Sequence, residues 1–323
     1  MRQKVLQINE LAGGYKTRQG ICKAVDNVSL TLHRGEFLGI AGESGCGKST
    51  LALAIMGLLE DSGKIFSGEM IFQGKELTSL SAKELQKVRW KGISMVFQSA
   101  MNALNPVLKI EEQLVDVSLA HEKGLTRREA GERSREMLEL VDIAPDRMHS
   151  YPHQLSGGMK QRVMIAMALL LKPQIIIMDE PTTALDVVVQ RTIIDKIVEL
   201  QNRFEFSVMF ITHDLSLLVE VSDTLAIMYS GEIVEYGPAD LVYAHPGHPY
   251  THGLMHAFPP LTGEIKTFGG IPGKPPNFLN LPAGCRFNPR CADCRPLCTR
   301  SKPELKRAGQ TRLLACHFPK SHL

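Results

Sequence analysis

One stretch near the amino terminus constrains this 323-residue chain more than any other. It runs from Gly42 to Thr50 and reads Gly-Glu-Ser-Gly-Cys-Gly-Lys-Ser-Thr. The apolar run Phe37–Ala41 before it predicts a buried strand, and the apolar run Leu51–Met56 after it predicts a helix. A G-x-x-x-x-G-K-S/T pattern between a strand and a helix is typical of a loop that binds the phosphates of a nucleotide. We therefore predict an α/β protein and call this loop the P-loop.

Each residue type in the P-loop suits phosphate binding. Glycines let backbone N–H groups approach phosphate oxygens without a Cβ clash, and the helix N-terminus adds partial positive charge. Lys48 is expected to reach the β- and γ-phosphates, and the Ser49 hydroxyl is expected to ligate Mg²⁺. The predicted nucleotide contacts of this loop are Gly42, Ser44, Gly45, Cys46, Gly47, Lys48, Ser49 and Thr50.

Polar side chains follow three later predicted strands. Asp179 and Glu180 come directly after an apolar run, where carboxylates are costly unless they meet a cation or water. Asp179 fits a Mg²⁺ ligand acting through water, and Glu180 fits the base that polarises an attacking water. Gln98, which could contact the metal or a water, and His213 each follow another strand. Alone, either would be an ordinary loop residue, but ligands gather at the carboxyl edge of parallel strands.

A second anion site is predicted at Ser156-Gly157-Gly158, where a serine and two glycines begin a helix. This site lacks a lysine equivalent to Lys48, which favours a role in completing a site supplied from elsewhere. Tyr15 lies between two predicted strands and could either stack on an adenine ring or be a surface packing residue.

Composition divides the chain into two parts. No apolar run is long enough to span a bilayer, and the N-terminus lacks signal-peptide features, so we expect a soluble, cytoplasmic chain. Residues 241–323 hold eleven Lys or Arg against three Asp or Glu, which suits a solvated surface, nucleic acid, an anionic membrane or an anionic cofactor. Five of the seven cysteines lie between Cys285 and Cys316, and without an export signal disulfides are the less expected use.

Taken together, these motifs resemble those of the nucleotide-binding subunits of ABC transporters. The P-loop resembles Walker A, and Met159 stands in the signature-like segment where glutamine is commoner. The other resemblances are Leu155–Met159 to the ABC signature, Ile175–Glu180 to Walker B, Ala184–Asp186 to the D-loop, Gln98 to the Q-loop glutamine, His213 to the switch histidine and Tyr15 to the adenine-stacking aromatic.

The resemblance implies the fold and the mechanism. It implies a P-loop NTPase over residues 1–240 with a parallel core sheet, an antiparallel β subdomain and a helical subdomain at about 99–172. Two subunits would face head to tail, so that Ser156, Gly157 and Gly158 of one close on ATP bound by the Walker A loop of the other, with Asp186 also at the nucleotide. Glu180 and His213 would promote hydrolysis. The segment after Gln98, at 99–106, would contact a membrane subunit.

Residues 241–323 resemble the C-terminal extension of oligopeptide/dipeptide permease ATPases, through segments such as His248–Thr251, Gly270–Pro276 and Gly284–Cys291. In that family the extension implies an iron–sulfur cluster bound by four cysteines, here Cys285, Cys291, Cys298 and Cys316. Cys294 is an additional cysteine that leaves the ligand set open, and zinc is an alternative to a [4Fe–4S] cluster. The interleaved arginines would offset the thiolate charge; they are Arg286, Arg290, Arg295 and Arg300.

The predicted function is ATP hydrolysis that energises an importer, with di- or oligopeptides favoured over nickel or oligosaccharides. The expected partners are a second, related ATPase chain, two transmembrane permease subunits and an extracellular substrate-binding protein, which places the chain at the cytoplasmic face of the membrane. A non-transport ABC ATPase acting on nucleic acid is a second hypothesis, but the chain has one Walker A motif and no long coiled-coil insertion, so no nucleic acid is expected. A non-hydrolysing regulator is a third, which Glu180 and His213 disfavour.

Overall fold

A computed structural model describes residues 2–98, 103–183, 185–256 and 270–320. The strands in these ranges are β1 (Lys4–Thr17), β2 (Gly20–His33), β3 (Phe37–Ala41), β4 (Gly63–Phe72), β5 (Lys75–Glu76), β6 (Ile93–Val96), β7 (Ile175–Asp179), β8 (Ser207–Ile211), β9 (Thr224–Tyr229), β10 (Glu232–Pro238), β11 (Lys306–Ala308) and β12 (Arg312–Leu314). The α-helices are α1 (Lys48–Met56), α2 (Ala82–Val88), α3 (Ile110–His121), α4 (Arg127–Leu140), α5 (Gly157–Leu169), α6 (Val187–Phe204), α7 (Leu215–Val221), α8 (Ala239–Ala244), α9 (Pro249–His256) and α10 (Pro296–Arg300).

The chain forms two compact units. Unit 1 comprises Met1–Val5, His33–Gly35 and Leu80–Met209, and unit 2 comprises Leu6–Leu32, Glu36–Ser79 and Phe210–Leu323. The chain passes from unit 1 to unit 2 within β8.

Unit 1 contains a pair of parallel strands, β6 and β7, aligned from Ile93 opposite Ile175 to Val96 opposite Met178. Every residue of both strands is buried. Isoleucines that are buried on both faces suit a parallel sheet covered by helices, because their branched side chains pack well on a pleated surface. The two strands confirm the sequence prediction for these apolar runs.

The helices of unit 1 pack through periodic apolar faces. Helix α4 lies against α3 and α5. Its buried residues are spaced as one face of a helix, at Ala130, Ser134, Met137 and Leu138. The Ser134 hydroxyl donates to the Ala130 carbonyl at 2.7 Å, which satisfies a buried polar group within the helix. Helices α3 and α4 lie within the range 99–172, where the family resemblance implies a helical subdomain.

Unit 2 contains an antiparallel β region. Strands β2, β1, β4 and β5 form one sheet in that order, and β1 pairs with β4 in antiparallel fashion, with Leu6 opposite Phe72. This sheet is the antiparallel part that the predicted fold class requires.

A second set of strands in unit 2 runs in the order β11, β12, β10, β9, β3. Strands β3 and β9 are parallel, whereas β9 and β10 form an antiparallel hairpin. The hairpin turns at Ser230 and Gly231, which both have positive φ, as a tight two-residue turn with the right twist needs. Helix α1 follows β3, so unit 2 contains the predicted strand–loop–helix arrangement.

The C-terminal part of the chain joins unit 2 through backbone pairing and a buried ion pair. Strand β12 pairs with β10, with Leu314 opposite Glu235. Arg312 contacts the Glu235 carboxylate at 3.3 Å, and both side chains are almost wholly buried. Glu235 also accepts hydrogen bonds from the N–H groups of Gly247 and His248. The predicted boundary between 1–240 and 241–323 falls inside unit 2 and stays a prediction.

Among the helices of the described ranges, none combines the length and the hydropathy that crossing a bilayer needs.

Candidate active site

The P-loop backbone in unit 2 has no room for side chains at two of its glycines. Gly42, Gly45 and Gly47 all have φ between +76° and +155°, which disfavours residues with a Cβ. A Cβ on Gly47 would lie 2.0 Å from the Ala24 carbonyl oxygen, and one on Gly42 would lie 2.2 Å from the Met228 carbonyl oxygen. The loop is therefore packed directly against the backbone of β2 and β9.

Lys48 lies along the inner side of this loop. Its side chain is buried, and its Nζ donates to the carbonyl oxygens of Gly42 at 2.7 Å and Glu43 at 3.0 Å. Cys46 is also buried, and burial raises the pKa of its thiol despite the nearby Lys48 ammonium. The thiol is therefore neutral near pH 7.

The P-loop residues fit a triphosphate with Mg²⁺. Helix α1 begins at Lys48 and has no acidic residue in its first turn, so its N-terminal charge is uncompensated within the helix. A Cβ placed on Gly45 would meet no atom within 4 Å, which leaves one side of the loop open. Ser44 is exposed, and Ser49 and Thr50 are half-buried, so a ligand can reach their hydroxyls.

In unit 1, the parallel register of β6 and β7 brings two predicted residues together. Val96 pairs with Met178, and Gln98 and Glu180 each lie two residues farther on. The Gln98 Nε2 donates to the Glu180 Oε2 at 3.1 Å, and the Thr183 hydroxyl donates to the same oxygen at 3.0 Å. Two donors on one oxygen orient the carboxylate, as a general base requires.

The backbone at Glu180 is strained, since its φ of +46° lies in the left-handed region that costs a residue with a Cβ of order 1 kcal/mol. The preceding residue, Asp179, ends β7 and is buried. Asp186 caps the N-terminus of α6, where its carboxylate accepts the Val189 N–H at 2.9 Å. The predicted D-loop residue Ala184 lies outside the described residues, as do residues 99–102 of the predicted membrane-subunit contact.

The signature-like segment begins α5 with a local cap. The Ser156 Oγ accepts the Met159 N–H at 3.3 Å, and Ser156 itself is exposed. A Cβ on Gly158 would lie 2.7 Å from the Val189 Cγ1, a side-chain atom. The segment therefore presents a capped helix N-terminus to solvent.

Two further predicted residues lie in unit 2. His213 is exposed and follows the end of β8, where the Thr212 N–H donates to the Ile40 carbonyl of β3 at 3.4 Å. His213 therefore lies at the strand edge from which the P-loop starts, as predicted. Tyr15 is half-buried in β1 opposite Gly63, at a position where its ring can contact a ligand or solvent.

The four cysteines that the family resemblance implies as ligands line one small cavity in unit 2, together with Phe287 and Phe318; these cysteines are Cys285, Cys291, Cys298 and Cys316. Burial raises the pKa of both Cys285 and Cys316 to about 11, with the neighbouring thiols adding to the shift. Cys294 is exposed and does not line the cavity. Within the described ranges, no three His, Cys, Asp or Glu side chains are arranged to hold a metal ion.

Two arginines have different partners from those that the sequence suggests. Arg290, interpreted as a counter-charge for the cysteines, instead donates to both carboxylate oxygens of Glu43 in the P-loop, at 2.5 and 2.8 Å. Arg286 pairs with Asp26 and Glu232. Carboxylates offer these buried cations full charges with matching geometry, whereas the buried thiols are neutral. The partners lie up to 260 residues away, so no local pattern reveals the contacts.

Known proteins match this chain along nearly its whole length. The sequence profile described as ABC transporter matches residues 25–183, and the profile described as oligopeptide/dipeptide transporter, C-terminal region, matches residues 234–298. The oligopeptide transport ATP-binding protein OppD of Salmonella typhimurium is 45% identical over 99% of this chain and 95% of its own length. The dipeptide transport ATP-binding protein DppD of Caldanaerobacter subterraneus is 40% identical over 97% of both chains.

Solved structures agree with the sequence matches. The dimeric structure of MJ0796, a bacterial ABC transporter cassette, has a TM-score of 0.65 and 30% identity, covering 72% of this chain and 98% of that chain. A post-hydrolysis state of the same cassette, bound to ADP and Pi, matches equally well.

The cassette fold, the P-loop and the oriented glutamate define an ATPase of the ABC class. Within that class, the chain belongs to the family of oligopeptide and dipeptide transport ATP-binding proteins, since its relatives extend through the C-terminal region as well as the ATPase core.

Proposed function

We propose that this chain binds and hydrolyses ATP to energise an importer of di- or oligopeptides. The observation that carries the proposal is the Glu180 carboxylate, which two donors orient at the end of β7, in a chain whose P-loop fits a triphosphate. The relatives named above are oligopeptide and dipeptide transport ATP-binding proteins, which supports peptides as the cargo over nickel or oligosaccharides.

The proposed nucleotide and magnesium contacts are given for each unit by itself. In unit 2, Lys48 and the P-loop N–H groups would bind the β- and γ-phosphates, Ser49 would ligate Mg²⁺ and Tyr15 would contact the adenine. In unit 1, Asp179 and Gln98 carry side-chain oxygens of the kind that Mg²⁺ and its waters prefer. When bound, Mg²⁺ neutralises charge that develops on the phosphates during transfer.

Hydrolysis depends on a proton acceptor. Glu180 takes the proton of the attacking water, while the Gln98 amide and the Thr183 hydroxyl fix its Oε2. His213 donates a hydrogen bond on the γ-phosphate side and promotes reopening after the reaction. This division agrees with the exposure of His213, which leaves its ring accessible to a ligand.

The exposed signature segment completes the nucleotide site of a second ATPase chain. Ser156, Gly157 and Gly158 close on ATP bound by a second ATPase chain, which is a related but different polypeptide, while Asp186 lies at the same interface. Two transmembrane permease subunits and an extracellular substrate-binding protein complete the importer, which places this chain on the cytoplasmic face of the membrane as a peripheral subunit.

Substituting Glu180→Gln tests the hydrolytic role. We expect a decrease in kcat of about 10²- to 10³-fold with nucleotide affinity within about threefold of wild type, because only the proton acceptor is lost. Glu139→Gln, which changes an exposed glutamate of α4, is the matched control and should hydrolyse ATP normally. Wild-type turnover by Glu180→Gln would refute the assignment of the base.

Peptide specificity is tested with the assembled importer. ATPase activity of the complex should rise several-fold when its binding protein is loaded with a tripeptide, and it should not respond to nickel or an oligosaccharide. Stimulation by nickel alone would replace peptides with a metal as the cargo, and co-purified RNA or DNA in place of permease subunits would support the nucleic-acid alternative.

From the family resemblance and the shared cavity we further propose that Cys285, Cys291, Cys298 and Cys316 would bind a [4Fe–4S] cluster, with Zn²⁺ as the alternative. Because no three of these side chains are arranged to hold a metal ion in the described residues, binding would also have to bring the thiols together. Thiolates are soft ligands suited to either group, and binding must displace their protons, which the raised pKa values make more costly. Anaerobically purified chain should contain iron and acid-labile sulfide, which Cys298→Ser should lose and Cys294→Ser should keep. Stoichiometric zinc without sulfide would contradict the cluster.

A further inference from the structure

Glu43, the second residue of the P-loop, has contacts on its backbone and its side chain. Its N–H donates to the Tyr250 hydroxyl at 2.8 Å, and its carboxylate accepts the Arg290 guanidinium. Its carbonyl oxygen accepts the Lys48 ammonium at 3.0 Å and the Cys46 N–H at 3.2 Å. Glu43 therefore joins the lysine expected to bind phosphate to two residues from the C-terminal part of the chain.

Arg290 is placed by contacts that leave its guanidinium little freedom. Its side chain is 3% exposed, and its Nε donates to the Pro272 carbonyl at 2.8 Å. The guanidinium also lies near the faces of Tyr229 and Phe287, at 5.8 and 6.0 Å from the ring centroids. A buried arginine needs such partners, and its bidentate geometry fixes the carboxylate in orientation as well as in distance.

Tyr250 reaches the loop from a rigid aromatic cluster. Its ring packs against Tyr229 at 4.6 Å and Phe287 at 5.4 Å between centroids, and the residue is fully buried. Its own N–H donates to the Nδ1 of His248 at 3.0 Å. Because both the ring and the backbone of Tyr250 are fixed, its hydroxyl accepts the Glu43 N–H at little further cost in conformational entropy.

A second set of contacts reaches the other end of the loop. The Gly231 N–H donates to the Cys46 carbonyl at 2.8 Å, which ties the P-loop to the β9–β10 turn. Arg286 donates to the carbonyl oxygen of Ser230 in that turn and pairs with Asp26 and Glu232. The C-terminal part thus contacts the loop directly at Glu43 and indirectly at Cys46.

We propose that Arg290 and Tyr250 are positioning residues for nucleotide binding, which act through Glu43 to fix the P-loop carbonyls and the Lys48 ammonium in the conformation that accepts phosphate. This inference rests on the proposed function of the P-loop in ATP binding. It gives the C-terminal region a role at the nucleotide site of its own chain.

The physical basis is preorganisation. Lys48 contacts two carbonyl oxygens of the loop, and the position of the Glu43 carbonyl follows from its fixed N–H and carboxylate. Without those contacts the loop must be ordered when nucleotide binds, and that cost lowers affinity. The chemical step depends on Glu180, so affinity should change more than turnover.

The test measures Mg-ATPγS affinity of the full-length chain by calorimetry, with ATP KM and kcat measured in the assembled importer. Arg290→Gln should raise Kd and KM about tenfold and leave kcat within about twofold. Tyr250→Phe, which keeps the ring and removes only the hydroxyl, should raise Kd about threefold to fivefold. Arg295→Gln, an exposed arginine of the same region whose guanidinium lies 4.2 Å from the Phe318 ring centroid, is the matched control and should leave Kd unchanged.

A double-mutant cycle separates positioning from general loss of structure. Glu43→Gln should weaken binding as much as Arg290→Gln, and the double variant should be no weaker than either single variant, because they break one interaction. Exchanging the charges, with Glu43→Arg and Arg290→Glu together, should recover part of the affinity. Additive losses, or wild-type affinity in both Arg290→Gln and Tyr250→Phe, would overturn the inference.

The same measurements distinguish this inference from the proposed function. If the wild-type chain fails to bind Mg-ATPγS, the function assigned to the P-loop is wrong. If wild type binds and the variants bind equally well, the P-loop assignment stands and only the positioning role fails. If Arg290→Gln does not fold, Tyr250→Phe decides, because the aromatic cluster around Tyr250 is retained.

Discussion

The P-loop and the signature segment are both helix N-termini that contain glycines, but they are built differently. The P-loop buries its lysine, excludes side chains at Gly42 and Gly47 and has contacts from residues as far away as Arg290. The signature segment has an exposed serine that caps its own helix at Met159. Tertiary contacts therefore fix the conformation of the P-loop, whereas a local hydrogen bond fixes that of the signature segment.

This difference matches the proposed roles, in which the P-loop binds nucleotide within its own chain and the signature segment completes the site of another subunit. A loop that binds triphosphate within its own chain gains affinity from being preorganised. A segment that completes the site of another subunit must stay accessible, so it can rely on its cap and the helix dipole. The comparison predicts that substitutions in the P-loop affect folding and affinity together, whereas substitutions in the signature segment affect assembly and hydrolysis.

The largest contrast is expected between two glycine substitutions. Gly47→Ala should cost about 3 kcal/mol or more of unfolding free energy and abolish nucleotide binding, because its Cβ would meet a backbone oxygen 2.0 Å away at a left-handed φ. Gly158→Ala should cost about 1 kcal/mol, because the Val189 side chain that it meets can move. Urea denaturation and ATPγS titration measure both effects; equal costs would remove the contrast.

Lys48 of the P-loop and Lys160 of the signature helix should differ in their effect on nucleotide affinity. Lys48→Ala should weaken Mg-ATPγS binding about 100-fold, or about 2.8 kcal/mol, since the loop loses its cation. Lys160→Ala, at the corresponding helix of the signature segment, should leave the affinity of the isolated chain within about twofold. Calorimetry on both variants checks this, and unchanged affinity for Lys48→Ala would contradict the role of the P-loop.

Low pH should destabilise the folded protein through His248, whose ring packs against Phe287 of the aromatic cluster. Burial lowers the pKa of His248 to about 3, so the imidazole stays neutral in the folded protein while the unfolded chain binds a proton below pH ~6.5. Stability from this residue is therefore present above that pH and decreases as the pH falls toward 3, by about 1.4 kcal/mol at pH 5.5 relative to neutral pH.

The control for this prediction is His248→Gln, which has no such proton uptake. The buried Glu235 beside it has a raised pKa from burial and favours the folded state as the pH falls, but it is present in both proteins. The difference between the two urea-denaturation curves at pH 7.5 and 5.5 therefore isolates the imidazole, and parallel pH dependences would contradict the prediction.

The smallest effect is expected for the signature cap. Ser156→Ala should cost about 1 kcal/mol of stability, because the Met159 N–H loses its acceptor, and it should decrease ATP hydrolysis by the assembled importer. Ser81→Ala removes the equivalent cap of α2 and should cost a similar amount without affecting hydrolysis. A loss of ATPγS affinity in the isolated Ser156→Ala chain would contradict the proposed division of labour.

Local patterns predicted much of the fold. The apolar run Phe37–Ala41 forms β3 with the same bounds, the apolar run after the P-loop lies in α1, and the runs before Gln98, Asp179 and His213 form β6, β7 and β8. These features depend on residues within four positions of one another, so their physics is readable from the sequence. The β9–β10 hairpin and the short elements of the C-terminal region carry weaker periodicity and were not predicted.

Some residues of the candidate site could likewise be predicted from the sequence, whereas others required the tertiary structure. Spacing and residue type predicted the P-loop and Glu180, because phosphate and proton chemistry each demand particular residues at particular spacings, whereas the set of four cysteines was implied by the family resemblance. The sequence could not reveal that Arg290 forms an ion pair with Glu43 instead of lying beside the cysteines, since Arg290 and Glu43 are 247 residues apart. Only folding brings them together, because burying a guanidinium requires a carboxylate wherever the chain can supply one.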